Sequence, residues 1–200
     1  MNDLIIYGAS GHGKVVYDAA LKSDKHDVIF YDDDVKKKSI LNQRITHELP
    51  KDGSVVVAVG DNRIRQKLVS QVTLDFEKAI IHPSSVLGVD VEIGEGTVVF
   101  AGSVINPDVK IGKHVIINTK ATVEHDCDIE NFVHISPNAT LCGTVEVGEG
   151  TQIGAGAVVL PNLKIGKWCI IAAGAVVTRN IPDHSKVIGV PGKIVGTTDA

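Results

Sequence analysis

One feature constrains this 200-residue chain more than any other: a period of six. From Ile81 an aliphatic residue returns at every sixth position, through Leu87, Ile93, Val99, Ile105 and onward to Ile165, Ile171 and Val177, without an insertion. The fifth position of each hexad is held to small or aliphatic residues, from Ser85 and Val91 to Ala175 and Ile181. Glycine recurs at the second position, at Gly94, Gly112, Gly148, Gly154 and Gly166. Hexads of this kind read as one short strand plus one corner, three of them closing a triangular coil. The first-position side chains point inward and stack from coil to coil, the fifth position sits near a corner that limits its size, and glycine eases the turn. Each coil buries its face only against a neighbour, so the unit must stack. The prediction is a parallel β-helix of nearly six coils, about 4.8 Å apart.

The composition fits. Aromatic residues make up 4% of the chain, too few for a compact sandwich core, while charged residues at 22% and hydrophobic ones at 44% are ordinary for a folded domain. A net charge of -4 gives no reason to expect a nucleic acid partner. No apolar run is long enough for a membrane span. The segment from Met1 to Tyr7 enters a strand pattern directly, without a basic stretch and apolar core, and a cytoplasmic protein is expected. Three cysteines, Cys127, Cys142 and Cys169, in no C-x-x-C spacing, read as free thiols.

Residues 1–80 have a different grammar. Leu4–Tyr7, Val28–Tyr31 and Val55–Val59 read as buried strands, and Lys14–Leu21 and Arg63–Val72 as helices. Strand and helix in alternation imply a small parallel, Rossmann-like sheet. Its ligand loops would lie at the carboxyl ends of the strands, at Gly8–Gly13, Asp32–Asp34 and Gly60–Asn62. The glycine loop is G-x-x-G-x-G rather than the dinucleotide G-x-G-x-x-G, which argues against a nicotinamide-dependent dehydrogenase. It can still cradle a phosphate through backbone N–H groups, or be no more than a tight turn beside a solvated acidic loop.

Taken in order, Gly8-Ala9-Ser10-Gly11-His12-Gly13, Tyr31-Asp32-Asp33, Val59-Gly60-Asp61-Asn62, Ile81-His82-Pro83, Ile117-Asn118-Thr119, Val123-Glu124-His125-Asp126-Cys127, Val159-Leu160-Pro161-Asn162 and Gly189-Val190-Pro191-Gly192-Lys193 span nearly the whole chain. This series resembles the family of sialic acid O-acetyltransferases and bacillosamine-pathway amino-sugar N-acetyltransferases. The resemblance implies a left-handed β-helix from residue 81 to 200, ending in a short extension, behind a nucleotide-sugar-binding domain over residues 1–80. It implies acetyl-CoA as acyl donor, no metal, and a homotrimer. The expected reaction is N-acetylation of a nucleotide-linked 4-amino-4,6-dideoxy sugar, UDP-linked by preference. Sialic acid O-acetylation and a non-catalytic sugar-nucleotide scaffold are the alternatives.

The resemblance also assigns residues. His125 would be the general base and Asp126 the acid that raises its basicity. Family members often carry Glu at the latter position, so the shorter Asp leaves the spacing to His125 open. His134 would contact acetyl-CoA from a different face of its coil, with Gly143, Ala155 and Ala173 lending backbone groups to coenzyme A or the oxyanion. Ser10, Gly11, His12, Asp32, Asp33 and Gly60 would hold the nucleotide sugar, and Asn118 would contact the acceptor. From their positions, His82 reads as a structural linker residue, His26, His47, His114 and His184 as solvated, Cys127 as core, and Trp168 as packed on the outer face. Cys142 offers an acyl-thioester route, but nothing near it in sequence activates a thiol. A zinc carbonic anhydrase would need a close histidine pair that His114, His125 and His134 lack.

Overall fold

The computed structural model describes residues 3–25 and 27–198. His26, expected to be solvated, lies outside the described residues. The N-terminal half builds a five-stranded sheet from β1 (Leu4–Tyr7), β2 (Val28–Tyr31), β3 (Ser39–Ile40), β4 (Gln43–Thr46) and β5 (Ser54–Val57), in the order β3-β4-β2-β1-β5. All pairings are parallel except the short hairpin of β3 with β4. Sequence reading missed that hairpin. Helix α1 (Gly11–Lys22) follows β1, and α2 (Asn62–Val69) follows β5.

α1 begins at Gly11, three residues ahead of the expected start, with extended Ser10 as its N-cap. His12 and Gly13 are therefore first-turn residues rather than members of an open loop. Gly13 allows the approach, since a Cβ there would overlap the Gly8 carbonyl.

The second half is the parallel β-helix. Its short strands fall into three ladders, and successive members of each ladder are eighteen residues apart, as in the Val104–Thr122 and Ile116–His134 pairings. First- and fifth-position side chains both point inward. Val99, Ile105, Val109, Val115, Ile117, Ala121 and their successors form one continuous core of nearly inaccessible residues.

The corner chemistry differs from the sequence expectation. Every fourth-position residue from Asp90 to Gly174 has a positive φ, including bulky His114, Phe132 and Trp168. The left-handed turn therefore sits at the fourth position, where the side chain faces outward. Second-position glycines have another cause: close approach between coils. A Cβ on Gly148 would lie 2.7 Å from the Gly166 carbonyl carbon and the Lys167 nitrogen.

The three faces of the prism differ in their outward sixth-position residues. The first presents Val86, Val104, Thr122, Thr140, Val158 and Val176, with no charge. The second presents Glu92, Lys110, Asp128, Glu146 and Lys164, and Lys164 pairs with Glu146 at 2.8 Å. The third begins Ile80, Val98, Ile116 and His134. Here the α/β domain docks. Val98, Phe100 and Ile116 share one core with Leu4, Ile6, Val16, Ala20 and Phe30. The rod ends in an antiparallel hairpin, Ser185–Ile188 with Lys193–Thr197, added to the third ladder.

Candidate active site

His125 and Asp126 occupy the corner between the first and second faces. The left-handed turn at Asp126 (φ 60°) undoes strand alternation there and brings the two side chains together. His125 Nδ1 lies 2.7 Å from Asp126 Oδ2, so the shorter acid does reach. A carboxylate on Nδ1 fixes the tautomer that leaves Nε2 free to take a proton. Gly143 lies one coil above, on the same corner. A Cβ there would stand 2.6 Å from Cε1 and 2.7 Å from Nε2 of His125, so the imidazole rests on the glycine. Both members of the pair are open to solvent, with side-chain exposures of 60% and 55%.

A second group forms on the third face, beneath the α/β domain. His134 is 9% exposed. The Asn118 amide donates to its Nε2 at 3.0 Å. His12 comes down from α1 to within 6.4 Å of the His134 ring and packs on Phe100. Burial, reinforced by the Arg65 charge, lowers His12 to about 4, and burial, then Arg65 and His12, lowers His134 to about 3. Both rings are neutral near pH 7. His12 Nε2 is buried without a hydrogen-bond partner among the described residues, while the His134 ring has the Gly60 backbone beside it. Buried polar atoms in native proteins are nearly always paired, so the free Nε2 of His12 is a group that a ligand could satisfy.

The loops at the carboxyl edge of the sheet hold one another. Asp32 is 7% exposed and accepts from Ala9 N at 2.7 Å, Lys37 Nζ at 2.7 Å and Asp34 N at 2.9 Å. Burial alone would raise its pKa, but these donors outweigh that and hold it below the usual carboxylate range. Asp33 accepts from the phenols of Tyr7 and Tyr31. Burial and Asp33 push the Tyr7 hydroxyl up, and Asp33, first through its hydrogen bond, pushes Tyr31 up to about 12. Both acids thus have partners within their own domain. Ser10, Gly11 and Asp33 are exposed, and Gly60 is half-buried.

Ala155 and Ala173 lie exposed on the corner between the third and first faces, away from His125. Within one chain the expected residues therefore form three separate groups. A concavity of about 510 Å³ touches none of them. It runs along the charged second face against Glu146, Gly148, Lys164 and Asp183, as an open trough before the glycine column.

Several histidines depart from expectation. His114 is 4% exposed rather than solvated, stacked on Phe132 and edge-on to Phe76. Burial lowers it to about 4. His47 is half-buried with Nδ1 2.8 Å from the Asp32 carbonyl, and His184 is half-buried. His82 is buried, its Nδ1 beside Ser84 N and Oγ. Trp168 lies outside the rod beneath Arg63, whose guanidinium is 4.8 Å from the ring centre. Burial and nearby Glu124 raise the Cys142 thiol, which disfavours it as a nucleophile. Among the described residues no group of three metal-binding side chains converges. No described helix is long and apolar enough to cross a membrane.

A glycine-loop α/β domain docked on one face of a hexapeptide prism, with an outward His–Asp pair at the opposite corner, defines a hexapeptide-repeat transferase. Residues 3–72 match the PglD N-terminal domain, and residues 90–125, 126–160 and 144–179 match the bacterial transferase hexapeptide (six repeats). A histidine-to-asparagine mutant of perosamine N-acetyltransferase from Caulobacter crescentus, solved with CoA and GDP-perosamine, is 36% identical; the match covers 98% of each chain with a TM-score of 0.90. The acetyltransferase domain of PglB from Neisseria gonorrhoeae FA1090, in complex with acetyl coenzyme A, is 34% identical over 97% of this chain and 99% of that one, with a TM-score of 0.91. UDP-N-acetylbacillosamine N-acetyltransferase of Bacillus subtilis (strain 168) is 39% identical over 116 residues, 50% of this chain and 52% of the relative, so the chain spans about half the length of that curated protein. The chain belongs to the family of hexapeptide-repeat sugar N-acetyltransferases with a PglD-type N-terminal domain.

Proposed function

We propose that this protein is an acetyl-CoA-dependent N-acetyltransferase acting on the amino group of a nucleotide-linked 4-amino-4,6-dideoxy sugar, with the UDP-linked form favoured. The single observation that carries the reading is the His125–Asp126 pair resting on Gly143. His125 Nε2 takes the proton as the amine lone pair attacks the thioester carbonyl. The N–C bond forms, the tetrahedral intermediate collapses, the C–S bond breaks, and the proton leaves with the coenzyme A sulfur. Small Gly143, Ala155 and Ala173 let the thioester and pantetheine lie close to the backbone. Ser10, Gly11, His12 and Gly60 hold the nucleotide sugar, and Asp32 braces the glycine loop. Asn118 contacts the acceptor, and His134, hydrogen-bonded to Asn118, contacts acetyl-CoA.

These groups meet only between subunits. The third face, with His12, Asn118 and His134, lies opposite the corner that carries His125. At about 3.3 Å per residue a six-residue side is up to roughly 20 Å long, beyond side-chain reach. In a homotrimer with the uncharged first faces turned to the axis, the His125 corner of one subunit abuts the Ala155–Ala173 corner and third face of the next. In this reading, one rotation brings the His125 corner of one subunit next to the Ala155–Ala173 corner and third-face group of its neighbour. The closed symmetry also covers the uncharged face.

The test is thiol release from acetyl-CoA against UDP-, GDP- and dTDP-linked 4-amino sugars, with free sialic acid alongside. Amine-dependent turnover that falls about a thousandfold in His125→Ala supports the reading. Turnover of sialic acid alone, or turnover indifferent to His125→Ala, overturns it.

A further inference from the structure

Arg65, in the middle of α2, is 1% exposed. Its side chain makes five hydrogen bonds. Nε donates to the His114 carbonyl at 2.9 Å, Nη1 to Val59 O at 2.9 Å and Gly60 O at 3.3 Å, and Nη2 to Asn62 Oδ1 and Phe132 O, both at 2.8 Å. None of these acceptors is a carboxylate. Asp61 is the acid that acts on the guanidinium, and it does so without a hydrogen bond; burial lowers Arg65 to about 9. A buried cation held only by neutral oxygens is a costly arrangement, tolerated where every donor is placed.

The acceptors fall into two sets. Val59 and Gly60 form the loop after β5, at the ligand edge of the α/β sheet. His114 and Phe132 are fourth-position residues of consecutive coils, at the corner between the second and third faces. The next coil continues the series, since Asn62 Nδ2 donates to the Gly150 carbonyl at 3.0 Å. Three carbonyls eighteen residues apart, about 4.8 Å from coil to coil, are thus gripped by two side chains of one helix. The rigid fork of a guanidinium can bond two adjacent coils and the β5 loop at once; an ammonium cannot.

We propose that Arg65, seconded by Asn62, is a positioning residue that sets the height of the nucleotide loops along the rod, so that a sugar held by those loops presents its amine at the level of Asn118 and His134. The inference rests on the proposed function. It goes beyond that reading by dividing nucleotide grip, which belongs to the α/β loops, from delivery of the amine, which belongs to the strap.

The experiment compares wild type, Arg65→Met, Arg65→Lys and Asn62→Ala. It measures kcat and KM for the nucleotide sugar that wild type turns over, and calorimetric affinities for acetyl-CoA and for the free nucleoside diphosphate of that sugar. Arg65→Met is expected to bind both within about threefold of wild type and to lose about a hundredfold in kcat, the size of loss a misplacement of about 1 Å produces. Arg65→Lys should not rescue it, and Asn62→Ala should lose about tenfold in kcat by the same reasoning. Wild-type kcat in Arg65→Met, or a nucleoside diphosphate affinity that falls in step with kcat, overturns the proposal. If Arg65→Met does not fold, Asn62→Ala and Arg65→Lys decide on the same two readouts. Wild type that turns over no amino sugar overturns the proposed function instead, and this inference with it.

Discussion

The proposed trimer, whose cleft takes the base from one subunit and third-face residues from the next, can be tested by mixing two dead enzymes. His125→Ala removes the base from the corner between the first and second faces. His134→Ala removes a side chain from the third face, across the prism. Each homotrimer should lose about two to four orders of magnitude, as expected for removing a proton-transfer or positioning group. When the two chains assemble at random in equal amounts, a cleft is intact only if the corner comes from a His134→Ala chain and the neighbouring face from a His125→Ala chain. The chance of that ordered pair is one half times one half, so a closed symmetric ring should recover about a quarter of wild-type activity. Co-expression in equal amounts, purification on one tag shared by both chains and thiol-release assay would measure it; selecting only mixed trimers with two different tags should raise the recovery to about a third, since each then holds one intact cleft of three. Recovery no greater than that of the parents would refute the shared cleft. A monomer by light scattering would refute the trimer itself.

Other outcomes follow from the local geometry. Gly143→Ala should fold, because that position is half-buried at an outer corner, but its Cβ would displace the His125 ring and cut kcat about a hundredfold. Gly148→Ala should destabilise by a few kcal/mol, since its Cβ would enter the backbone of the coil above; Gly156→Ala, at φ 65° with nothing within 4 Å, should cost only about 1–2 kcal/mol of left-handed strain. Thermal unfolding of the two variants compares them directly. His114 and His134 have folded pKa values of about 4 and about 3, below the unfolded value near 6.5. The unfolded chain therefore binds more protons below pH 6.5, and stability present above that pH is lost as pH falls towards the folded values. At pH 5.5 each contributes a loss of about 1.4 kcal/mol, readable as a lower urea midpoint and relieved in part by His114→Phe.

The rod was legible because its interior is unforgiving. Ile105, Ile117, Ala121 and Ile135 face a packed axis, where only aliphatic or small side chains fit, so two columns stand out in sequence. The corner was not legible. Its left-handed residue is Asp at 90, His at 114, Lys at 120, Phe at 132 and Trp at 168, a variety that hides a strict backbone rule. The glycine column drew attention instead and carried a different cause. His114 reads as one more outward corner residue, because nothing local announces that Phe76 and Phe132 close over it. Arg65 was missed for the opposite reason: a charged residue in a polar helix reads as solvated. The spacing of Asn62 and Arg65, three residues apart and so on one side of α2, is the only sequence trace of the strap. The motifs single out His125 and Asp126, and a coil corner can bring such neighbours together; which residue of the corner makes the turn, Asp126 itself, was not legible.

That turn has a wider consequence. Because hexads run on without insertion, altitude along the rod is quantised. Any two groups on one ladder or corner are separated by a whole number of coil steps of about 4.8 Å. Adding or deleting one eighteen-residue coil above Gly174 would leave the spacing of His125, Gly143, His134 and the strap carbonyls untouched. The same change between His114 and Gly150 would move them by a full step, and no side-chain adjustment recovers that distance. Length variation in such a chain is thus silent or ruinous according to where it falls, with little in between.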